Sequence, residues 1–260
     1  MGELIAVLSG KGGTGKTSVT AAVASALACA GRQVLCIDCD VGLRNLDISL
    51  GLSDCCPLSF LDVCQGGYTL CQATAHPEFP GLFFLTAPMN CPAEQIPMES
   101  FGAFLTAARQ QFDFVLLDAP AGVDAGFRLA AAFSDRCILV TGSGPASVRD
   151  AARTAQVLEL MGKTNVRLVV NRVVPKLLRV MDTTIDDVMD TAGLPLLGIV
   201  PEDKNVTLAA AFHMPLLRYK PRCAAAKGKA LQKYKHSGAS AAYIRIAKRI
   251  QGLSVPISGR

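Results

Sequence analysis

Residues 10–17 read GKGGTGKT, and this stretch decides the fold. It matches the phosphate-binding template Gly-x4-Gly-Lys-Ser/Thr, whose fixed positions are filled by Gly10, Gly15, Lys16 and Thr17. Glycines allow successive backbone N–H groups to turn toward phosphates, and the N-terminus of a following helix adds partial positive charge. The stretch therefore predicts a phosphate-binding loop between a strand and a helix.

The sequence on either side of this loop has the pattern that such a loop requires. Residues 4–8 are apolar and predict a buried strand, and residues 17–29 predict a helix that Gly31 ends. A chance glycine-rich turn is the alternative, but eight consecutive matching positions in this setting argue against it. We expect Lys16 to reach the β- and γ-phosphates of a nucleotide and the Thr17 hydroxyl to bind Mg²⁺. The loop residues expected to contact the nucleotide are Gly10, Lys11, Gly12, Gly13, Thr14, Gly15, Lys16, Thr17 and Ser18.

Length and composition indicate one globular unit. With 260 residues, 50% of them hydrophobic, the chain can bury a substantial core, and no low-complexity linker or internal repeat divides it. Helical and strand patterns alternate, which favours a doubly wound α/β fold with a mainly parallel sheet flanked by helices. We expect a single domain over residues 1–260. Strands are predicted near residues 4–8, 34–38, 82–86, 114–118, 137–141, 166–170 and 196–200.

Charge is distributed unevenly along the chain. Residues 1–203 contain 14 Lys and Arg against 21 Asp and Glu, whereas residues 204–260 contain 12 Lys and Arg and no acidic residue. The whole chain has a net charge of +5. A basic C-terminal segment of this kind is a candidate contact for the phosphates of nucleic acid or anionic lipid. A solvated surface that only aids solubility is the alternative with equal support.

The sequence carries no signal for membrane spanning or secretion. Apolar runs stay well short of the ~18 residues that cross a bilayer, and the N-terminus lacks the plan of a signal peptide, so we expect a cytoplasmic protein. Its ten cysteines are expected to be mostly small core residues. Cys36 and Cys39 have CxxC spacing, but side chains three apart in a strand point to opposite faces, which argues against a shared redox or metal site.

Three aspartates stand at the ends of apolar strands. Asp38 and Asp40 end one predicted strand, and Asp118 ends another before a Pro/Gly turn. Carboxylates at the C-terminal ends of parallel strands face the ligand crevice. We expect Asp38 to hold Mg²⁺ through water, Asp40 to lie at the metal and orient the attacking water, and Asp118 to bind Mg²⁺. Asp38 or Asp40 could instead only end a strand and cap the next turn.

Asn171 is the candidate contact for the nucleotide base. Residues 169–172 read VVNR and place an amide just after a predicted strand. An Asn side chain can pair with the adenine edge through its donor and acceptor together. Alone this signal is weak, because Asn favours strand ends.

Three stretches resemble the MinD/ParA family of deviant Walker A ATPases, and the MinD branch more than the ParA branch. They are KGGTGKT at residues 11–17, GLRNLD at 42–47 and DAPAG at 118–122. The likeness covers residues 1 to about 201 and continues more weakly to 256. It implies a P-loop NTPase fold that hydrolyses ATP to ADP and phosphate with Mg²⁺.

The resemblance also implies roles for single residues. Lys11 would cross a dimer interface to the partner subunit's phosphates, so hydrolysis would be slow unless the protein is an ATP-bound homodimer and is activated. Asp40 would join Lys11 and Lys16 as a catalytic residue, and the turn at residues 121–122 would sense the γ-phosphate. The residues that the resemblance places at the base are Asn171, Arg172, Pro201, Glu202 and Asp203.

The C-terminal part departs from the family. Residues 211–215 read AFHMP where relatives have an Asn-x-Gly-x-Pro turn, so we expect His213 to be a turn residue rather than a ligand. Residues 218–236 are unusually basic. The last helix, predicted over residues 239–251, is expected to pack on the fold rather than lie on a membrane. Ser147 is expected to be the N-cap of an earlier helix.

Four functional hypotheses follow from this resemblance. In the first, ATP-dependent dimerisation switches binding to an anionic membrane surface and to partners of MinE or MinC type, in placement of the division septum, with the protein peripheral at the inner face of the cell membrane. The alternatives are a ParA-like ATPase that binds DNA, or another positioning ATPase such as a flagellar-number regulator. An iron–sulfur carrier of the same superfamily would need a cysteine where Ala125 stands.

Overall fold

The protein is built on one twisted sheet. The structure is a computed structural model that describes residues 1–219 and 238–257. Within these residues eight strands pair in the order β3-β4-β2-β5-β1-β6-β7-β8, and every pair is parallel except β3 with β4. The strands are β1 (Glu3–Leu8), β2 (Val34–Asp38), β3 (Thr74–Ala75), β4 (Leu82–Leu85), β5 (Phe114–Asp118), β6 (Arg136–Thr141), β7 (Val166–Val173) and β8 (Leu196–Pro201).

Helices cover both faces of this sheet, as a doubly wound fold requires. Two clusters of buried apolar side chains lie on opposite faces, with α1 and α10 in one cluster and α4, α5, α6 and α8 in the other. The helices are α1 (Lys16–Cys29), α2 (Leu46–Leu50), α3 (Phe60–Cys64), α4 (Met98–Gln111), α5 (Ala125–Ala132), α6 (Pro145–Leu160), α7 (Pro175–Val180), α8 (Ile185–Ala192), α9 (Lys204–Ala211) and α10 (Gly238–Ile250). The predicted fold class is confirmed.

The seven predicted strands are confirmed, but the edge strand β3 was not predicted. It has only two residues, Thr74 and Ala75, which pair antiparallel with β4. Two residues are too few to show the alternation that identifies a strand in sequence. β7 also continues beyond its predicted end, so Asn171 lies inside the strand rather than after it.

The prediction that Ser147 caps a helix is wrong. Helix α6 begins at Pro145, and Gly144 is the N-cap residue. Proline suits the first helical position, because its φ angle is already helical and its missing N–H would have no partner there. Ser147 therefore lies within the first turn.

The last helix and the CxxC pair are found as predicted, but the expectation that most cysteines are core residues is wrong, because only three of the nine described cysteines are buried. Tyr243, Ile246 and Ile250 of α10 are buried against the sheet, so this helix packs on the fold. Cys36 and Cys39 are both buried, each in a different one of the two core clusters, and therefore face away from each other. Among the described residues no helix combines the length and apolar character that crossing a bilayer requires.

Candidate phosphate-binding site

The predicted phosphate loop connects the C-terminal end of β1 to the start of α1. Gly13 and Gly15 have φ angles of 79° and 84°, in the left-handed region that favours glycine. Gly10 is needed for a different reason, since a Cβ atom there would overlap the Thr154 hydroxyl and the Asp150 carbonyl of α6. The loop thus has the sharp turn and the close packing that a phosphate cradle requires.

Lys16 is buried in the loop and already paired with a carboxylate. Its Nζ atom lies 3.3 Å from Oδ1 of Asp118, and the two side chains are 7% and 1% exposed. The Thr20 hydroxyl donates to the same oxygen at 2.9 Å. Asp118 is the last residue of β5, which lies between β1 and β2. It therefore stands at the C-terminal end of the parallel strands, where such sheets present ligand-binding groups. Lys16 and Asp118 therefore compensate each other's charge within the cradle.

Lys11 lies in a quite different environment. Its ammonium group is 3.8 Å from Oδ2 of Asp150 on α6, and its side chain is 42% exposed. It therefore points along the surface of the loop instead of into the pocket that holds Lys16. The predicted trans role of Lys11 is compatible with this position and stays a prediction.

Asp38 and Asp40 organise the loop that follows β2. One carboxylate oxygen of Asp38 accepts the N–H of Asp40 at 2.9 Å, and the other accepts the N–H of Leu46 at 3.2 Å. Burial and the charge of Asp118 raise the pKa of Asp38 to about 7, although the two backbone hydrogen bonds oppose this shift. Asp40 is half-buried, and its carboxylate accepts the N–H of Leu43 at 3.3 Å.

This group of residues fits a magnesium-bound nucleotide. Within the described chain Thr14 Oγ1 is buried and has no hydrogen-bond partner, so it is a polar atom that a ligand would satisfy. A Cβ atom added at Gly12 or Gly13 would meet nothing within 4 Å, which leaves the outer side of the loop open. Hydroxyl and carboxylate oxygens are the protein ligands that Mg²⁺ prefers, and the residues predicted to hold the ion, Thr17, Asp38, Asp40 and Asp118, carry such oxygens.

Two of the predicted base contacts, Asn171 and Arg172, touch the phosphate loop. Asn171 is 2% exposed, and its amide nitrogen donates to the Thr14 carbonyl at 2.8 Å. Arg172, with a φ angle of 57°, pairs with Glu202 at 2.8 Å and donates to the Gly13 carbonyl at 3.2 Å. Asp203 caps α9 by accepting the N–H of Asn205 at 2.9 Å. Contact of these residues with adenine stays a prediction.

Sequence reasoning missed several contacts of the site. It assigned no role to Thr20, to the pairing of Lys11 with Asp150, or to Tyr243, whose hydroxyl lies 3.5 Å from Asn171. Thr20 was findable, because it lies one helical turn after Lys16 and hence on the same side of α1. The other two pairings join distant parts of the chain and leave no local signal.

Two further predictions concern the region beyond the site. His213 lies in a turn with a φ angle of 52° and is 3.1 Å from the Ser53 hydroxyl, as a turn residue should be. No group of His, Cys, Asp and Glu able to hold a metal ion by themselves occurs in the described ranges. Most of the basic stretch at residues 218–236 lies outside the described residues.

Comparison with known sequences agrees with this geometry. The family model of the CobQ/CobB/MinD/ParA nucleotide binding domain matches residues 5–216. The chain is 33% identical over 258 residues to the septum site-determining protein MinD of Synechocystis sp., covering 98% of this chain and 92% of the relative. It is 35% identical over 263 residues to MinD of Bacillus subtilis, covering 99% and 92%.

Solved structures show the same likeness along almost the whole chain. The MinD cell division protein of Aquifex aeolicus has a TM-score of 0.84 at 30% identity, covering 99% of this chain and 100% of that one. The MinC:MinD complex of the same organism gives the same TM-score and identity, covering 99% and 98%. MinD of Pyrococcus horikoshii, complexed with Mg-ADP, has a TM-score of 0.78 at 28% identity and 96% coverage of both chains. This chain therefore belongs to the MinD/ParA family of nucleotide-binding ATPases and is MinD-like in sequence and structure.

Proposed function

We propose that this chain is a MinD-like ATPase that places the division septum and uses ATP-dependent homodimerisation as its switch. The relatives' names support the cellular role, and the Mg-ADP complex of one of them supports the nucleotide and the metal. The relatives' names do not mention dimerisation or the surface to which the dimer binds, and both are proposed from the residues described below.

The single observation that carries the proposal is the contrast between the two lysines of the loop. Lys16 is buried in the phosphate cradle, whereas Lys11 is exposed and pairs with the partly exposed carboxylate of Asp150. A cation held at the surface, outside its own cradle, is available to the phosphates of a second subunit. A trans cation that stabilises transition-state charge is worth about 10³ to 10⁵ in rate, by analogy with arginine fingers.

The residues of the site then divide the work of hydrolysis. The loop amides and Lys16 hold the β- and γ-phosphates, after Lys16 leaves Asp118. Thr17 and Asp118 would hold Mg²⁺, with Asp38 and Asp40 acting partly through water, and the metal when bound would neutralise phosphate charge. Asp40 orients the attacking water, and Lys11 of the second subunit stabilises charge that develops at the leaving oxygen.

Partners are proposed from the relatives and from charge. The MinC:MinD complex of Aquifex aeolicus supports a MinC-type partner, and a MinE-type activator is proposed with it. The basic segment at residues 204–260 supports binding to an anionic membrane surface from the cytoplasmic side. Asn171, Arg172 and the 201–203 turn are proposed to hold the adenine.

The experiment is co-sedimentation with vesicles of anionic phospholipid, with ATP in one set and ADP in the other. We expect sedimentation with ATP only, and its loss in the Lys16→Ala variant, which cannot hold the phosphates. Duplex DNA is added as a competitor in a parallel series. If the protein binds DNA instead of vesicles, the surface that it recognises is nucleic acid rather than membrane. Equal sedimentation with ATP and ADP would refute the nucleotide switch.

A further inference from the structure

The back of the phosphate loop is connected to the C-terminal helix by a line of buried hydrogen bonds. The Thr14 carbonyl accepts the Asn171 amide nitrogen at 2.8 Å. On the other side of the same amide, the Tyr243 hydroxyl of α10 lies 3.5 Å from Asn171 Oδ1. Asn171 and Tyr243 are 2% and 1% exposed, so these bonds form away from competing water. A residue near the end of the chain thus reaches a loop near its start through one side chain.

The space behind the loop is shaped around the Asn171 amide. A Cβ atom at Gly15 would overlap the Asn171 amide nitrogen, so the loop backbone and this side chain fit only because residue 15 is glycine. The neighbouring Gly13 carbonyl is held in the same way by Arg172 at 3.2 Å. Two successive carbonyls of the loop are therefore fixed from the β7 side.

Fixing these carbonyls also fixes the amides that would bind phosphate. In a trans peptide the C=O and the following N–H point in opposite directions. Asn171 holds the Thr14 carbonyl at the back of the loop. The Gly15 N–H of the same peptide is therefore directed toward the opposite side of the loop. The hydrogen bond of Arg172 to the Gly13 carbonyl orients the Thr14 N–H in the same manner.

The Thr14 carbonyl, which can only accept, requires the nitrogen of the Asn171 amide on its side, and the Tyr243 hydroxyl supports this orientation from the opposite side. Burial, with a smaller contribution from the charges of Asp203 and Glu202, raises the pKa of Tyr243, so its hydroxyl stays protonated and donates a hydrogen bond. A donor beside Asn171 favours the amide oxygen on that side, which leaves the nitrogen for the Thr14 carbonyl. Asp203 holds α10 in place by accepting the N–H of Ala239 at 3.1 Å.

We propose that Tyr243 is a positioning residue of the phosphate-binding loop, acting through the Asn171 amide. The proposal rests on the proposed nucleotide binding for its effect on affinity. Its effect on the loop amides belongs to the free protein and can be measured without any ligand.

The test compares Tyr243→Phe with Tyr68→Phe, which removes the same hydroxyl from an exposed ring outside the site. Calorimetry measures the binding of Mg-ADP and of inorganic pyrophosphate to each variant. Because the lost contact is one neutral hydrogen bond, we expect Tyr243→Phe to weaken both ligands by the same factor, about two- to tenfold. Tyr68→Phe should change neither. In an Asn171→Ala background, Tyr243→Phe should add no further loss.

The free protein gives the second readout, by NMR of its backbone amides. We expect the amide resonances of Thr14 and Gly15 to shift in Tyr243→Phe and to stay in place in Tyr68→Phe. Unshifted loop amides in Tyr243→Phe would overturn the proposal, and so would weakened ADP with unchanged pyrophosphate, since that would place the effect at the base. A wild-type protein that binds neither ligand would refute the proposed function, while the amide shifts would still decide the role of Tyr243.

Discussion

At the scale of single residues, Lys11 and Lys16 show that one loop places the same type of side chain in two different environments. Lys16 is enclosed with Asp118, and Lys11 stays at the surface against Asp150. Exposed ion pairs contribute little to stability, so losing the contact between Lys11 and Asp150 should hardly affect folding. A substitution at Lys11 therefore tests function almost separately from stability.

We predict that Lys11→Ala retains nucleotide binding and loses activated ATP turnover. We expect activated turnover to fall by about 10³-fold or more, which is the effect of removing a trans cation. Activity is measured as phosphate release with the activator and vesicles present, and binding as ADP affinity by calorimetry. Lys176→Ala, which removes an exposed lysine on α7 outside the basic segment at residues 204–260, serves as the matched control. Undiminished turnover in Lys11→Ala would reject the trans role.

His76 is a second residue whose surroundings determine its charge. The Glu78 N–H donates to His76 Nδ1 at 3.0 Å, so the ring proton is on Nε2, which donates to the Leu50 carbonyl at 2.7 Å. Burial lowers the pKa of His76 below its usual 6.5, with a smaller lowering from Arg218, while the Leu50 carbonyl and the charge of Glu78 oppose the shift. The folded protein thus takes up this proton at lower pH than the unfolded chain.

We predict that His76 makes the protein less stable as the pH falls below about 6.5. Its contribution is complete above that pH and is lost as the pH passes down through the lowered folded-state pKa. Thermal unfolding of wild type and His76→Gln is followed from about pH 7.5 to 5.0, since glutamine keeps an N–H for Leu50 without titrating. The midpoint of wild type should fall more steeply, and parallel curves would contradict this account.

At the site, sequence predicted the residues better than their contacts. The loop, Asp38, Asp40 and Asp118 follow from motif spacing, because strand ends and a glycine-rich turn are local features. The pairing of Tyr243 with Asn171 spans 72 residues and depends on how α10 packs, which no spacing rule expresses. The hydrogen bond from Asn171 to the Thr14 carbonyl could not be predicted either, because it also joins distant parts of the chain.

At the scale of elements, the packing of α10 on β8 depends on a close approach at Gly198. A Cβ atom there would overlap the side chain of Ile246, which is fully buried. Arg249, one turn further along α10, donates to the Leu197 carbonyl of β8 at 2.7 Å and to the carbonyls of Val255 and Pro256. The helix is therefore held by close packing and by a guanidinium group at its end.

We predict that Gly198→Ala destabilises the protein by about 1–3 kcal/mol, because the added methyl group overpacks the contact with Ile246. Gly67→Ala is the control, since a Cβ atom there would lie at an ordinary contact distance, 3.4 Å from its nearest neighbour, the Asp62 carbonyl. Stability is measured by urea unfolding. The double variant Gly198→Ala/Ile246→Ala should lose less than the sum of the single losses, and strict additivity would show that the two residues are not in contact.

Elements with strong periodicity were predictable, and those set by tertiary contacts were not. The parallel strands are apolar runs bounded by turn residues, so sequence alone located them. β3 exists because its two residues lie beside Phe83 and Phe84 of β4, and nothing within Thr74–Ala75 indicates this. The start of α6 was misplaced because Ser147 has the chemistry of an N-cap while Pro145 fits the first turn better.

At the scale of the whole molecule, the phosphate loop, Lys11 and the start of α6 all lie at the end of the sheet that is formed by the C-terminal ends of the parallel strands. A homodimer that joins two such sides would enclose two nucleotides and bring each Lys11 to the other subunit's phosphates. The dimer would then last only as long as ATP remains intact in it.

We predict that Asp40→Ala accumulates a homodimer in ATP, because it loses the residue proposed to orient water. Light scattering coupled to size exclusion should give twice the 27.3 kDa monomer mass with ATP and the monomer mass with ADP. Asp62→Ala, on α3 away from the three strand-end aspartates, is the matched control. If Asp40→Ala has the same mass in ATP as in ADP, the proposed nucleotide-dependent dimerisation is contradicted.

The buried pair of Lys16 and Asp118 bears on how the protein survives between rounds of turnover. Burying one charge without a partner costs several kcal/mol, so a cradle emptied of its phosphates would be a weak point of the fold if Lys16 were left alone. In the proposed cycle, Asp118 would replace the departing phosphate as the counter-ion of Lys16. Phosphate would then compete with a carboxylate for the same ammonium group each time a nucleotide binds.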